Sequence, residues 1–156
     1  MSVIGELIMR VYLDNCCYNR PFDDQSQVKV RVETISKLAV QLMMATRRVE
    51  YAWSSTLDYE LSRNPVPKRR TAIARWRAGA VEYVTASDEV SQRAKELEDA
   101  GLGAKDALHV ASAEQAGCDW FLTTDKGILK RASVSTEMRI ANPTTFIVEA
   151  ANADDR

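Results

Sequence analysis

Five short apolar segments alternate with segments of helical character along this chain. The strand-like segments cover residues 11–13, 49–53, 81–85, 120–124 and 145–148. The helical segments cover residues 28–48, 57–61, 69–78, 88–100, 104–116 and 126–131. Alternation of this kind is typical of an α/β domain whose strands run mainly parallel. We therefore predict a three-layer α/β/α sandwich with a mainly parallel, roughly five-stranded sheet covered by helices on both faces.

The longest predicted helix, residues 28–48, has one apolar face. Its apolar residues recur at steps of three and four, which is the period of a helix rather than of a strand. They are Val32, Ile35, Leu38, Ala39, Leu42 and Met43.

Length and composition indicate one globular domain. The chain has 156 residues, of which 46% are hydrophobic, and this is enough for a buried core. We expect the domain to cover residues 9–150, with an N-terminal extension of residues 1–8 and a polar tail of residues 151–156. The sequence contains no apolar run of roughly 20 residues and no secretion signal, so a cytoplasmic protein that does not enter the membrane is expected.

The supply of cysteine and histidine excludes several chemistries. Three cysteines are an odd number, and Cys16 and Cys17 are neighbours, which indicates reduced thiols rather than a disulfide framework. No candidate base accompanies them, so covalent cysteine catalysis is disfavoured. With His109 as its single histidine, the chain also lacks the ligand sets that zinc prefers.

Four acidic residues stand where a parallel sheet would gather them. Asp14 directly follows the first predicted strand and Asp125 the fourth, and strands that run parallel present their carboxyl ends at one edge. Glu60 lies on a short helix and Asp106 in the first turn of another. Clustered carboxylates repel one another unless a cation neutralises them, and oxygen ligands favour Mg²⁺ or Mn²⁺. Such a site predicts hydrolysis of RNA or DNA.

Each of these acids also has a purely structural interpretation. Asp14 and Asp125 are both placed to be turn residues, and Asp106 is placed to interact with a helix dipole. Asp58 competes with Glu60 for the second ligand position. His109, three residues after Asp106, could assist proton transfer, but a lone histidine on a helix is more often packed and hydrogen bonded.

Four segments of the chain resemble the ordered acidic motifs of PIN domains, a family that includes VapC-like toxins. The similarity covers nearly the whole chain, and the third and fourth segments are its most specific part. The four segments are Val11-Tyr12-Leu13-Asp14, Tyr59-Glu60-Leu61, Lys105-Asp106-Ala107-Leu108-His109-Val110-Ala111-Ser112-Ala113 and Leu122-Thr123-Thr124-Asp125-Lys126.

This resemblance implies a parallel α/β/α sandwich and a divalent-metal-dependent endoribonuclease, with Asp14, Glu60, Asp106 and Asp125 as metal ligands and catalytic residues. It also implies RNA as substrate and a cognate antitoxin that blocks the site, and a homodimer is a candidate assembly. Asn15, Thr123 and Thr124 flank the acids and are predicted to support them. The alternative is a PIN-like module with little or no catalysis that binds RNA or protein.

Two residues depart from the family pattern. Asn15 stands where the family commonly has a small hydroxyl residue after the first Asp. Gly127 stands where many members carry a further acid two residues after the last Asp. The first departure would alter the positioning of water, and the second would leave one fewer metal contact.

A basic segment, residues 61–79, is the best local candidate for phosphate contact, because it contains six cationic residues and no acid. We predict RNA binding by Arg69, Arg70 and Arg75, and a solvated basic face is the alternative. Trp76 lies in the same segment and would either stack on a base or pack in the core. The formal net charge of −1 gives no global signature of nucleic-acid binding.

Overall fold

The computed structural model describes the backbone of residues 8–154 and the side chains of residues 8–150. Five strands form one sheet: β1 Arg10–Leu13, β2 Glu50–Ser54, β3 Glu82–Val84, β4 Trp120–Leu122 and β5 Arg139–Ala141. The α-helices in this part of the chain are α1 Asn15–Asn19, α2 Val28–Ala45, α3 Ser55–Ser62, α4 Pro67–Ala74, α5 Asp88–Asp99, α6 Ala104–Gln115, α7 Lys126–Leu129 and α8 Pro143–Asp154. Short 3₁₀ helices cover Arg20–Phe22, Arg75–Gly79 and Ala132–Val134.

All strand pairs are parallel, in the order β3-β2-β1-β4-β5. The predicted three-layer α/β/α sandwich with a five-stranded parallel sheet is therefore confirmed. Chain order reverses between β1 and β4, so the topological switch point lies beside the central strand. Ligands of such sheets bind at the carboxyl ends of the strands at this point.

The core consists of nearly continuous apolar strands, as expected for a sheet covered on both faces. In β1, Val11, Tyr12 and Leu13 are all fully buried. The Tyr12 ring stacks on Phe121 of β4, with 5.3 Å between ring centroids. Among the described residues, no helix is both long and apolar enough to cross a membrane.

The predicted fifth strand, residues 145–148, is wrong. These residues lie in α8, which Pro143 begins and in which the Asn142 side chain accepts the Thr144 backbone N–H at 2.9 Å. Phe146 packs edge-on against Trp120, whereas Val148 on the other side of the helix is exposed. The β-branched composition of this segment suggested a strand, but the Asn-Pro start and burial on one face only favour a helix.

The predicted extension and tail lie largely at or beyond the limits of the described residues. Residues 1–7, most of the predicted extension, lie outside the described residues. Helix α8 continues to Asp154, inside the segment predicted as a polar tail, and residues 155–156 lie outside the described range.

Most of the predicted apolar face of α2 does not enter the core, although Met43 at its C-terminal end packs against it. Ile35 is 67% exposed and Val32, Leu38 and Leu42 are also exposed, whereas Val40 is fully buried. The face of α2 that packs on the domain is mostly polar and contains Glu33, Ser36, Lys37, Val40, Gln41 and Met44.

Specific polar contacts explain this arrangement. Glu33 accepts hydrogen bonds from Arg20 at 3.1 Å and from Asn142 at 2.7 Å. Ser36 shares a hydrogen bond of 2.8 Å with Thr144 of α8. These partners hold the polar face against the domain and leave an apolar stripe, residues 28, 32, 35, 38 and 42, on the surface.

Truncating a residue on each face of α2 will distinguish these roles. Val40→Ala should lower the free energy of unfolding by about 2 kcal/mol, because it removes fully buried methyl groups. Ile35→Ala should change it by less than about 0.5 kcal/mol, because that side chain lies in solvent and alanine is the better helix former. Urea unfolding of both variants measures the difference, and a larger loss for Ile35→Ala would contradict this orientation of the helix.

Candidate metal centre

The four predicted acids line one cavity of about 390 Å³ at the carboxyl edge of the sheet. Asp14 is the N-cap of α1 directly after β1, and Asp125 is the N-cap of α7 after β4. Glu60 comes from α3, and Asp106 from the first turn of α6. Asn15, Cys16, Asn19, Asp23 and Arg69 complete the lining.

Asp14 is the most enclosed of the four acids, at 5% exposure. Its backbone N–H donates to Leu122 O at 2.9 Å, which fixes the residue between β1 and β4. One carboxylate oxygen accepts the Asn15 N–H at 2.8 Å. The other accepts the Thr123 hydroxyl at 2.8 Å and the Cys16 thiol at 3.4 Å. These donors hold the carboxylate in one orientation.

The neighbours predicted to support the acids differ in what they contact. Asn15 links two of the acids, because its backbone N–H binds Asp14 and its side-chain amide donates to Glu60 at 3.4 Å. Thr123 also accepts the backbone N–H of Asp125 at 3.0 Å. Thr124 is buried, and its backbone N–H points to the Cys16 sulfur at 3.4 Å.

Glu60 is held by His109, which is 1% exposed. The histidine Nε2 contacts Glu60 Oε1, and its Nδ1 lies 2.7 Å from the Tyr12 hydroxyl. Tyr12 in turn lies 2.6 Å from the hydroxyl of Ser54, the N-cap of α3. His109 is thus packed and hydrogen bonded on both nitrogens, as its structural interpretation predicts.

The pKa of Glu60 lies below its ordinary value. Burial raises this pKa. The hydrogen bond and charge of His109, the charge of Lys105 at 3.8 Å and the Asn15 amide lower it, and their combined effect is larger than that of burial. The contribution of Tyr12 and Ser54 to holding Glu60 was not predicted from the sequence. A tyrosine in a buried strand and a serine before a helix carry no local signal of such a role.

Asp58 lies outside the cavity. It accepts the Trp53 indole N–H at 2.8 Å and contacts the Tyr83 hydroxyl, and Arg77 lies 3.6 Å away. Of the two acids that competed for the second ligand position, only Glu60 faces the other three.

Asp106 is half-buried, and none of the described residues donates a hydrogen bond to its carboxylate. Burial and the negative charges of Asp14 and Asp125 raise the pKa of Asp106 above its ordinary value. The charge of His109 opposes this rise without cancelling it, and no hydrogen bond from the described residues compensates the carboxylate.

Asp125 is exposed and caps α7, since its Oδ1 accepts the Ile128 backbone N–H at 3.1 Å. Gly127 lies beside this oxygen, and a Cβ at that position would approach Asp125 Oδ1 to 3.0 Å. Glycine at this point thus leaves room around the carboxylate.

The predicted basic residues do not gather in one place. Arg69 lines the acidic cavity, donates to Phe22 O at 2.7 Å and lies over the Phe22 ring. Arg70 donates to Asn64 O at 2.6 Å, and Arg75 is exposed on another part of the surface. Trp76 packs against the core.

The donor set fits a hard divalent cation. Ligand atoms of Asp14, Glu60 and His109 lie within 4.8 Å of one another, and Asp106 and Asp125 add further carboxylates to the same cavity. The two nitrogens of His109 already face Tyr12 and Glu60, so the free donors are carboxylate oxygens. Carboxylate oxygens are the ligands of Mg²⁺ and Mn²⁺.

The PIN domain sequence family matches residues 11–134, which is most of the chain. The chain therefore belongs to the PIN domain family, and the resemblance of its acidic motifs is confirmed. No curated protein matches its sequence.

Among solved structures, the chain resembles a chain from the crystal structure of VapBC2 from Rickettsia felis bound to a DNA fragment from their promoter. The TM-score is 0.52 at 16% sequence identity, and the match covers 86% of this chain and 98% of that chain. At this identity the likeness establishes the shared fold.

The same substitution, Asp to Asn, should change stability in opposite directions at two positions of the cavity. Both variants are compared with the parent protein in EDTA, so that no divalent metal is bound. Asp106→Asn should raise the melting temperature, because it removes a repelled charge that accepts no hydrogen bond. Asp14→Asn should lower the free energy of unfolding by about 1–3 kcal/mol, because both carboxylate oxygens accept hydrogen bonds and an amide has only one oxygen that can do so.

The effect of Asp106→Asn should depend on pH. Since the folded-state pKa of Asp106 is raised, the cost of its charge is present above that pKa and is lost as the pH falls through it. The gain in melting temperature should therefore be largest near pH 8 and shrink on acidification. A stability loss at pH 8 would show that Asp106 stabilises the fold.

Proposed function

We propose that this protein is a divalent-metal-dependent endoribonuclease, and that it is the toxin of a toxin–antitoxin pair. One observation carries the nuclease proposal: Asp106 is a half-buried carboxylate to which none of the described residues donates a hydrogen bond, in a cavity that it shares with Asp14, Glu60, Asp125 and Asp23. A cation at this point would remove the repulsion. Members of the PIN domain family are generally nucleases, which agrees with this interpretation.

In the proposed site, Asp14, Glu60, Asp106 and Asp125 hold Mg²⁺ or Mn²⁺. The chemistry that such an ion supplies is activation of a water and neutralisation of charge that develops on the phosphodiester. Asp14 and Glu60 are held in place by their hydrogen bonds, whereas Asp106 has no hydrogen bond to release on binding. Asn15 orients the carboxylates of Asp14 and Glu60. Thr123 donates to Asp14 and accepts the backbone N–H of Asp125, and Thr124 supports Cys16 beside them.

Arg69 is the residue that we assign to the RNA backbone. It is the cation of the basic segment that lines the acidic cavity, and its contact with Phe22 limits its movement. A guanidinium at this position binds a phosphate next to the one that is cleaved. Arg70 and Arg75 extend the basic surface away from the cavity.

A protein partner is part of the proposal. The related fold was solved as VapBC2 bound to promoter DNA. The α2 stripe of this chain exposes apolar residues at positions 28, 32, 35, 38 and 42, spaced three or four apart, which is the spacing that packs against another helix. An antitoxin with an amphipathic helix fits this surface.

The nuclease proposal predicts that single-stranded RNA is cleaved in Mg²⁺ or Mn²⁺ and that EDTA stops the reaction. Asp106→Asn should abolish cleavage while the protein stays folded, and it should weaken the rise in melting temperature that Mn²⁺ causes. Asp58→Asn is the matched control and should keep cleavage, because its side chain lies outside the cavity.

The result that would refute this site is full cleavage by Asp106→Asn. Loss of cleavage in Asp58→Asn beside an active Glu60→Gln would move the second ligand to Asp58. RNA binding by the unmodified protein without any cleavage would favour the alternative, a non-catalytic PIN-like binding module.

The assignment of Arg69 predicts a change in the salt dependence of RNA binding. Arg69→Ala should weaken binding and reduce the slope of log Kobs against log salt by about 0.7, the value for one phosphate contact on a single strand. Arg75→Ala is the control on the same basic segment and should change the slope less. Equal slopes for Arg69→Ala and the parent protein would show that Arg69 makes no phosphate contact.

A further inference from the structure

A second cavity lies under α2, between α1 with its following 3₁₀ helix and α4 with its following 3₁₀ helix. Its volume is about 200 Å³, and it shares no lining residue with the metal centre. Tyr18, Lys37 and Gln41 provide its polar groups. Phe22, Leu38 and Trp76 are among its apolar walls.

Two polar side chains of this cavity each contain a buried atom without a hydrogen-bond partner, and a third carries a charge without an ion pair, among the described residues. Tyr18 Oη and Gln41 Nε2 are buried and have no hydrogen-bond partner among the described residues. Lys37 is 4% exposed, and none of the described carboxylates forms an ion pair with it. Glu33, one turn earlier on α2, is occupied by Arg20 and Asn142. The Lys37 ammonium instead lies 5.9 Å from the centre of the Tyr18 ring.

The charge of Lys37 makes this arrangement costly. Buried charges in folded proteins are normally paired, and buried polar groups are normally hydrogen bonded. Burial lowers the pKa of Lys37 to about 8, so the ammonium is still charged at pH 7. Burial also raises the pKa of Tyr18 well above its ordinary value, so its hydroxyl remains a donor. A water can accept hydrogen bonds from these groups, but it cannot neutralise the cation.

A ligand that would satisfy Lys37, Gln41 and Tyr18 must accept hydrogen bonds and carry one negative charge. A carboxylate has two oxygens with about four lone-pair sites, enough for an ammonium, an amide and a hydroxyl. It is also attached through a single stem, which suits a small cleft with apolar walls, whereas a phosphodiester needs room for two chain directions. The volume is several times the ~30 Å³ that one water occupies in the liquid, so it admits a carboxylate together with part of its stem.

We propose that this cavity is a binding site for a carboxylate carried on an apolar or aromatic stem, with Lys37, Gln41 and Tyr18 as its donors. The carboxylate comes from a free organic acid or from an acidic side chain of a polypeptide. Leu38 belongs both to the cavity wall and to the exposed α2 stripe, so a chain that covers the stripe passes the mouth of the cavity. The site does not depend on the metal centre or on nuclease activity.

Phenylacetate is a suitable probe for the free acid, and the capped tripeptide acetyl-Leu-Glu-Phe-amide is a probe for the polypeptide source. Titration at pH 7, followed by ¹H–¹⁵N NMR spectra of the intact protein, should give saturable shifts at Tyr18, Leu38 and Gln41 with at least one probe. Phenylacetamide and the Gln-containing tripeptide, which lack the charge, should bind at least tenfold more weakly. The stronger of the two charged probes identifies the source.

Lys37→Met should abolish binding of the charged probes and raise the melting temperature of the unliganded protein, because it removes an unpaired buried charge. Lys29→Met is the matched control, since Lys29 lies on the same helix but is exposed, and it should bind as the parent does. Gln41→Leu should weaken binding at least several-fold, and it tests the site separately should Lys37→Met fail to fold. Equal binding of charged and neutral probes, unchanged binding in Lys37→Met or Gln41→Leu, or no binding of either charged probe would overturn the proposal.

Discussion

The parallel pairing of β1 with β4 at the middle of the sheet fixes the position of the candidate site. Leu13 pairs with Leu122, and the next backbone N–H, that of Asp14, continues the ladder to Leu122 O. Because both strands end together at the switch point, the acids that follow them face the same cavity. Glu60 and Asp106 then reach it from helices that begin near this edge.

The acids of this cavity differ in how far hydrogen bonds from the protein compensate their negative charge. Asp14 accepts three local donors, and Glu60 rests on a chain of contacts through His109 and Tyr12 to Ser54. Those groups are satisfied by the protein itself. For Asp106, burial and the repulsion of Asp14 and Asp125 outweigh the attraction of His109, so in the proposed site a bound cation would relieve this residue most.

Helix α2 also contains polar groups that have partners in the protein beside polar groups that have none. Its buried face is polar, and two of its polar residues, Glu33 and Ser36, have partners in the protein. Lys37 and Gln41 belong to the same face but leave donors unsatisfied. The exposed apolar stripe and the donors without partners on this one helix are the observations on which the proposed partner surface and the proposed carboxylate site rest.

Local sequence determined the elements that depend on neighbours in the chain. Period and composition predicted four of the five strands and the positions of Asp14 directly after β1 and of Asp125 shortly after β4, because these signals lie within a few residues. The segment 145–148 was predicted wrongly because its β-branched residues resemble a strand, while Asn142 and Pro143 start a helix. The acids lining one cavity also agree with their predicted positions, although their role as ligands remains a proposal.

Tertiary structure alone decided which face of α2 is buried, which arginine reaches the acidic cavity and what holds Glu60. Each depends on contacts between residues far apart in the chain, such as Ser36 with Thr144, 108 positions away, and Tyr12 with His109, 97 positions away. The apolar stripe in the sequence predicts only that the helix has an apolar face and a polar face. Whether that stripe meets the core or the solvent is decided by the partners that pack against the opposite face, and these partners become neighbours only when the sheet has formed.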